Sequence, residues 1–297
     1  MKKTTRKHNR IHHFHIIPNL VLMLFVIICV VPFIYVISIS LTDEAAILQN
    51  GYQILPIHFS VEAYKVLGQD MSMLVRAYGI TIFVTVVGTT FSLLFGSQFA
   101  YVISCKSFVW KKQLSMYLFF IMLFNGGLVP TYILITKYLN LKDNLLALIL
   151  PLMVNAWNIF LLRTFIQSIP ESLIEAAKID GASQYKIFFQ IILPLSKSGL
   201  ATICIFTMLA YWNDWYYNML YITDSKLINL QYMLYQTMSK AQFANSARAA
   251  GTAFNIDLPE ESLRMANCVL AVAPILIIFP FFQKYFTKGI TVGAVKG

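Results

Sequence analysis

The chain has 297 residues, of which 58% are hydrophobic and only 12% charged, and its mean hydropathy is positive. That little polar surface could not cover a soluble domain of this size, so the composition excludes a water-soluble globular protein and points to a membrane protein. The net charge of +10 is scattered over several segments without a basic face, which argues against nucleic-acid binding.

About 20 consecutive apolar residues cross a bilayer as a helix. Six stretches qualify, at about 16–40, 77–104, 114–137, 144–167, 198–222 and 265–286. An all-α polytopic membrane protein with six transmembrane helices is therefore expected, spanning residues 16–286 between a basic tail (1–15) and a C-terminal tail (287–297). Ser38-Ile39-Ser40 could pass as a signal cleavage site, but the apolar run before it is too long for a signal peptide, so the first span is expected to stay uncleaved. Lys and Arg gather in the N-terminal tail (Lys2, Lys3, Arg6, Lys7, Arg10), at 105–112, at 163–197 and after the sixth span. By the positive-inside rule these regions, and with them both termini, are cytoplasmic. The loops at 42–75 and 223–263 hold most of the acids, among them Asp43, Glu44, Asp224 and Asp257, and face outward.

In the second span Gly88, Ser92, Gly96, Ala100 and Ser104 recur every fourth residue. A small-residue stripe lets two helix backbones approach closely in lipid, where dispersion drives association, so these five predict a helix-packing seam. The third span is interrupted by Asn125, Gly126, Gly127 and Pro130, where the helix should kink or unwind. Irregular backbone at that depth is tolerated only against protein or a water-filled cavity. Asn155 and Asn158 follow Pro151 in the fourth span, and Trp212, Asn213 and Asp214 lie towards the outer half of the fifth. Amides, an indole and one acid would suit stacking and hydrogen bonding to a sugar, so these residues are candidates for lining a translocation path; a structural or interfacial role for Asp214 stays open.

The loop before the fifth span is the most informative. Ser168 and Glu171 have capping-box spacing, Pro170 fits a first helical turn, and Gly181 suits a left-handed stop. A short helix of about two turns should end at Asp180, followed by a second helix from Ala182 leading into the fifth span near Pro194. Ala176, Ala177 and Ile179 would make a compact apolar face, more closed than an amphipathic helix lying on the membrane needs.

The series Glu175-Ala176-Ala177, then Gly181, Ile191, Leu193 and Pro194 resembles, without a departure in spacing, the signature of the permease subunits of bacterial ABC importers. Met122 to Pro130, Ile179-Asp180-Gly181-Ala182, Tyr211-Trp212-Asn213 and the tail from Gln283 to Gly297 are similar to the carbohydrate-type permeases. Among these the chain resembles the second permease of maltose-type importers and, more closely, the complex-oligosaccharide group. The resemblance implies that residues 168–197 form a cytoplasmic coupling loop docking on an ATPase, with Asp180 within it. It further implies a second, homologous permease, two ATPase subunits or a homodimer of one, an extracytoplasmic sugar-binding protein, and a tail inserted between the ATPase subunits.

No GxxxxGK[ST] phosphate loop occurs in the chain, so ATP and Mg are expected on the partner ATPase subunits and no cofactor on this one. No metal site is expected, because Cys29, Cys105, Cys204 and Cys268 are far apart and the histidines other than His58 lie in the N-terminal tail. A polytopic enzyme would need a catalytic cluster at depth that the spans lack. A permease for a non-sugar solute remains an alternative, as does an ATP-independent channel or secondary transporter, although polar groups along the spans are scarce.

Overall fold

The computed structural model describes residues 8–249 and 258–294. Lys2, Lys3, Arg6, Lys7, Asp257 and the last three residues of the C-terminal tail lie outside the described residues. The chain divides into two compact units, Met1–Gln69 with Thr237–Ala273, and Asp70–Gln236 with Pro274–Gly297. Secondary structure is helical throughout the described residues apart from an isolated bridge between Thr42 and Phe59. Three helices are long and apolar enough to cross a membrane alone, and six crossings result if each of three bent helix pairs counts as one.

In the first unit, helix α1 (His8–Ser40) exposes large apolar side chains on all sides over Leu20–Val26, a surface suited to lipid. Helices α2 (Glu44–Asn50) and α3 (Glu62–Leu67) follow it. Glu44 binds the start of a distant helix that begins at Glu260: its carboxylate accepts from the backbone N–H groups of Glu261 (2.8 Å) and Ser262 (3.0 Å) and from the Ser262 hydroxyl (2.9 Å). A negative charge there satisfies orphan donors and complements the helix dipole.

The second unit is built on α4 (Met71–Ser104). The unit also holds α5 (Lys111–Leu123), α6 (Leu128–Ile133), α7 (Leu146–Met153), α8 (Ala156–Gln167), α9 (Glu171–Ile179), α10 (Gln184–Ile187), α11 (Leu193–Leu195), α12 (Lys197–Trp212) and α13 (Tyr216–Tyr221), of which α12, α8, α7 and α5 pack on α4. Helix α14 (Leu230–Ala249) and helix α15 (Glu260–Ala294) complete the chain, and α15 continues into the residues expected to form the C-terminal tail.

The interruptions coincide with local capping chemistry. The third span breaks between α5 and α6 with a bend of 111°, and Gly127 there has φ +87° while Asn125 Oδ1 accepts from its N–H at 2.9 Å. Pro130 sits in the first turn of α6, where its missing donor is harmless. The fourth span bends by 50° between α7 and α8, at Val154 and Asn155 and not at Pro151, which stays inside α7. The fifth span is not one helix to residue 222. It stops at Trp212, and Asp214 starts α13 by accepting from the Tyr217 N–H at 3.1 Å. An apolar run satisfies hydropathy whether or not an acid inside it caps a new helix.

The seam along α4 is graded. Tyr211 of α12 lies directly on Gly88, where a Cβ would fall 2.4 Å from the ring, and the Tyr211 hydroxyl donates to the Ile149 carbonyl of α7 at 2.7 Å. Ser92 and Ala100 are buried, Ser104 is half-buried, and a Cβ on Gly96 would meet only Ile159 at 3.9 Å. Gly88→Ala should therefore destabilise the folded protein by about 1–3 kcal/mol through overpacking, whereas Gly96→Ala should stay within about 0.5 kcal/mol. Unfolding in mixed detergent micelles checks this, and equal sensitivity at the two positions would contradict the assignment.

Candidate functional site

Helix α9 begins at Glu171 immediately after Pro170. The expected capping box does not form, because Ser168 belongs to the end of α8, where its hydroxyl donates to the Phe165 carbonyl at 2.7 Å. Glu171 is free to pair with Lys106, on the loop after α4. At the other end Asp180 is the last half-helical residue, and Gly181 takes φ +74°. The Gly181 N–H donates to the Lys178 carbonyl at 3.0 Å and the Ala182 N–H to the Ala177 carbonyl at 2.9 Å, the paired bonds of a Schellman stop. Nothing lies within 4 Å of a Cβ at Gly181, so only its backbone conformation restricts the position.

Ala176, Ala177 and Ile179 do not share a face. Successive helical residues turn by about 100°, so positions two apart point nearly oppositely. Ala177 is buried, whereas Ala176 is exposed and Ile179 is 86% exposed. Inward, Ala177 joins a core with Ile103, Ile166, Ile187, Phe188 and Ile192, against which Ile191 and Leu193 pack; Pro194 is exposed. Outward, the loop presents Leu173, Glu175, Ala176, Ile179 and Tyr185. The chain from Gln184 to Leu195 stays helical through a π-turn at Phe188–Ile192 and then bends by 80° into α12. The bend falls at Ser196 rather than at Pro194.

The candidate path residues do not converge on one site. Asn155 Oδ1 accepts from the Asn158 N–H at 3.1 Å, and the Asn158 amide donates to Thr207 of α12 at 3.2 Å. Both asparagines border a cavity of about 10 Å³ beside Ser92 and Gly96, no larger than one water needs. Trp212 is buried against a separate apolar cavity of about 70 Å³ with Ile82, Thr85 and Met208. Asn213 donates to the Leu209 carbonyl at 2.9 Å, and Asn125, Gly126 and Gly127 are exposed at the third-span break.

A family model described as a binding-protein-dependent transport system inner membrane component matches residues 13–292. The chain belongs to this family. Protein LplC of Bacillus subtilis (strain 168) is 39% identical over 270 residues, covering 91% of this chain and 90% of LplC. The polygalacturonan/rhamnogalacturonan transport system permease protein YtcP of the same organism is 38% identical over 279 residues, covering 93% and 96%. A chain from the crystal structure of a bacterial ABC transporter involved in the import of the acidic polysaccharide alginate superposes with a TM-score of 0.74 at 30% identity, over 96% of this chain and 100% of that one. The protein is thus a multi-pass membrane component of a binding-protein-dependent importer, of the permease type.

Several contacts that organise the permease left no motif in the sequence. Tyr101, near the end of α4, donates to Gln184 at 2.7 Å. On another loop Asp143, with φ +55°, accepts from the Thr223 hydroxyl (2.6 Å) and the backbone N–H groups of Thr223 (2.5 Å) and Asp224 (2.9 Å). Its own N–H donates to the Tyr221 carbonyl at 3.0 Å. The Thr223 hydroxyl, ahead of the two backbone donors, holds the Asp143 carboxyl below the ordinary carboxylate range. Because the folded value is depressed, the clamp stabilises fully above about pH 4, the ordinary value, and is lost as pH falls through the folded one. In micelles, amide exchange at Thr223 and Asp224 should speed up on acidification from pH 5 to pH 3 in the wild type, once corrected for intrinsic exchange. In Asp143→Ala it should already be fast at pH 5. An Asp143→Ala profile matching the wild type would contradict the clamp.

Proposed function

We propose that this chain forms half of the translocation pathway of an ATP-driven importer for an oligosaccharide, and that α9 is the element through which a separate ATPase acts. The observation that carries the second part is the form of α9: a short helix stopped by a left-handed glycine, anchored inward by Ala177 and presenting Ile179 and Glu175 outward. Capped at its C-terminal end and rooted in the core, it can be pushed without melting.

The carbohydrate part draws support from similarity to YtcP and to the alginate importer, both named for polysaccharide transport. In this reading residues 16–286 are the transmembrane domain, 168–197 the coupling loop and 287–297 a tail reaching the ATPase, with both termini in the cytoplasm. The partners are a second, homologous permease, two ATPase subunits carrying ATP and Mg, and an extracytoplasmic sugar-binding protein. The chain itself is non-catalytic. Asn125, Gly126, Gly127, Asn155, Asn158, Trp212, Asn213 and Asp214 contribute to the path in different conformations of the bundle. ATP-driven closure displaces α9 and switches the spans between two packed arrangements.

Glu175 is exposed and available for charge-assisted hydrogen bonds to the ATPase. Gly181→Val is strained by its positive φ alone. Both Glu175→Ala and Gly181→Val should insert normally and abolish uptake, or lower it at least tenfold, in vesicles holding the whole complex. Wild-type uptake by both would sink the assignment of α9.

A further inference from the structure

Displacement of α9 must reach the spans to have any effect, and few contacts are placed to carry it. A cavity of about 500 Å³ opens between α9 and the end of α4, bordered by Ser104 and Cys105 on one side and Ile174, Glu175 and Lys178 on the other. Across it runs the Lys106–Glu171 ion pair, whose side chains are 76% and 49% exposed. Water and salt screen a pair so exposed, and its two long side chains can swing, so it transmits little.

The Tyr101–Gln184 hydrogen bond is different. It joins residues 83 positions apart, and although Gln184 is exposed and both residues border the same cavity, Tyr101 is only 7% exposed. The Tyr101 ring stands 5.4 Å from the ring of Phe188, and both belong to the core that also takes in Ala177 and Ile187. Ring packing keeps two surfaces together but lets them slide. A hydrogen bond, with its narrow range of length and angle, resists sliding.

We infer that Tyr101 and Gln184 are positioning residues for energy coupling: their hydrogen bond makes the start of α10 and the end of α4 move as one body, so that displacement of α9 reaches α4. The spans that respond are those packed on α4: α12, whose Tyr211 lies on Gly88, and α8, whose Ile159 faces Gly96. This inference rests on the proposed docking of α9 on an ATPase.

The test uses the complete complex in lipid vesicles, with the native cysteines replaced by alanine and an environment-sensitive fluorophore at Trp157→Cys, a position on α8 that is 60% exposed. ATP hydrolysis, the ATP-driven fluorescence shift and retention of the ATPase subunits are measured together, so no transported sugar is needed. Tyr101→Phe keeps the ring and loses the donor. Gln184 is exposed, so Gln184→Leu should fold while losing the acceptor, and Gln184→Glu keeps one. The expected result is that Tyr101→Phe, Gln184→Leu and the double variant retain hydrolysis and ATPase subunits while the fluorescence shift falls roughly three- to tenfold, the range for one lost hydrogen bond. The double variant should be no worse than the singles, and Gln184→Glu should resemble the wild type. A full shift in both single variants overturns the inference, and so does loss of the ATPase subunits, which would make the bond a requirement for assembly. Glu175→Ala is the separate control: a full ATP-driven shift in that variant would mean that α9 is not the docking element, whatever the bond does.

Discussion

Lipid offers the backbone no hydrogen-bond partner, and this constraint shapes the chain at three interruptions of its apolar segments. A helix may break inside a bilayer only where side chains or neighbouring backbone take over the freed groups. Asn155 does so at the start of α8, Asn125 for Gly127 at the third-span break, and Asp214 at the start of α13. Each is a short side chain whose acceptor reaches backbone two or three residues ahead, the geometry that favours Asn and Asp at caps and turns. The same residues that stood out as polar groups at depth are thus engaged in keeping broken spans intact.

Once the backbone is satisfied, dispersion decides how the helices sit, because lipid is as apolar as their side chains. Close approach then depends on absent atoms. Gly88 admits the Tyr211 ring, and the hydroxyl of that ring reaches on to Ile149, so one aromatic residue ties α12 to α4 and α7. Gly199 admits Phe165 in the same manner between α12 and α8. A bundle locked by such contacts rearranges between discrete packings instead of deforming smoothly. In the proposed coupling role, that property gives a small displacement at α9 a large consequence elsewhere in the bundle.

Positions of the spans were legible in the sequence because bilayer thickness imposes a length that hydropathy records directly. The α9 stop was legible for an equally local reason, since a glycine at a left-handed position leaves its mark in one residue. The fourth-span bend at Val154 and Asn155 left no such mark, because the one conspicuous helix breaker nearby, Pro151, stays inside α7. Reading the fifth span through to residue 222 failed because Tyr216–Tyr221 is apolar and helical, only as a separate helix. Tyr101 with Gln184, Asp143 with Thr223 and Glu44 with Ser262 were invisible: each is made by ordinary residues far apart in the chain, and only the fold brings them together. Among the stripe residues the sequence could not rank Gly88 above Gly96, since both are glycine and the difference lies in what faces them.

The central claim is that α9 is a cytoplasmic surface made to be covered by an ATPase. Ile179, at 86% exposure, is the residue whose environment should change most when that happens. The direct measurement is maleimide labelling of Ile179→Cys in an otherwise cysteine-free chain, in sealed vesicles of known orientation, with and without the ATPase subunits. The account predicts that a membrane-impermeant reagent reaches this position only from the cytoplasmic side and that the ATPase slows labelling at least tenfold. Labelling from the outer side, or an unchanged rate in the full complex, would contradict it.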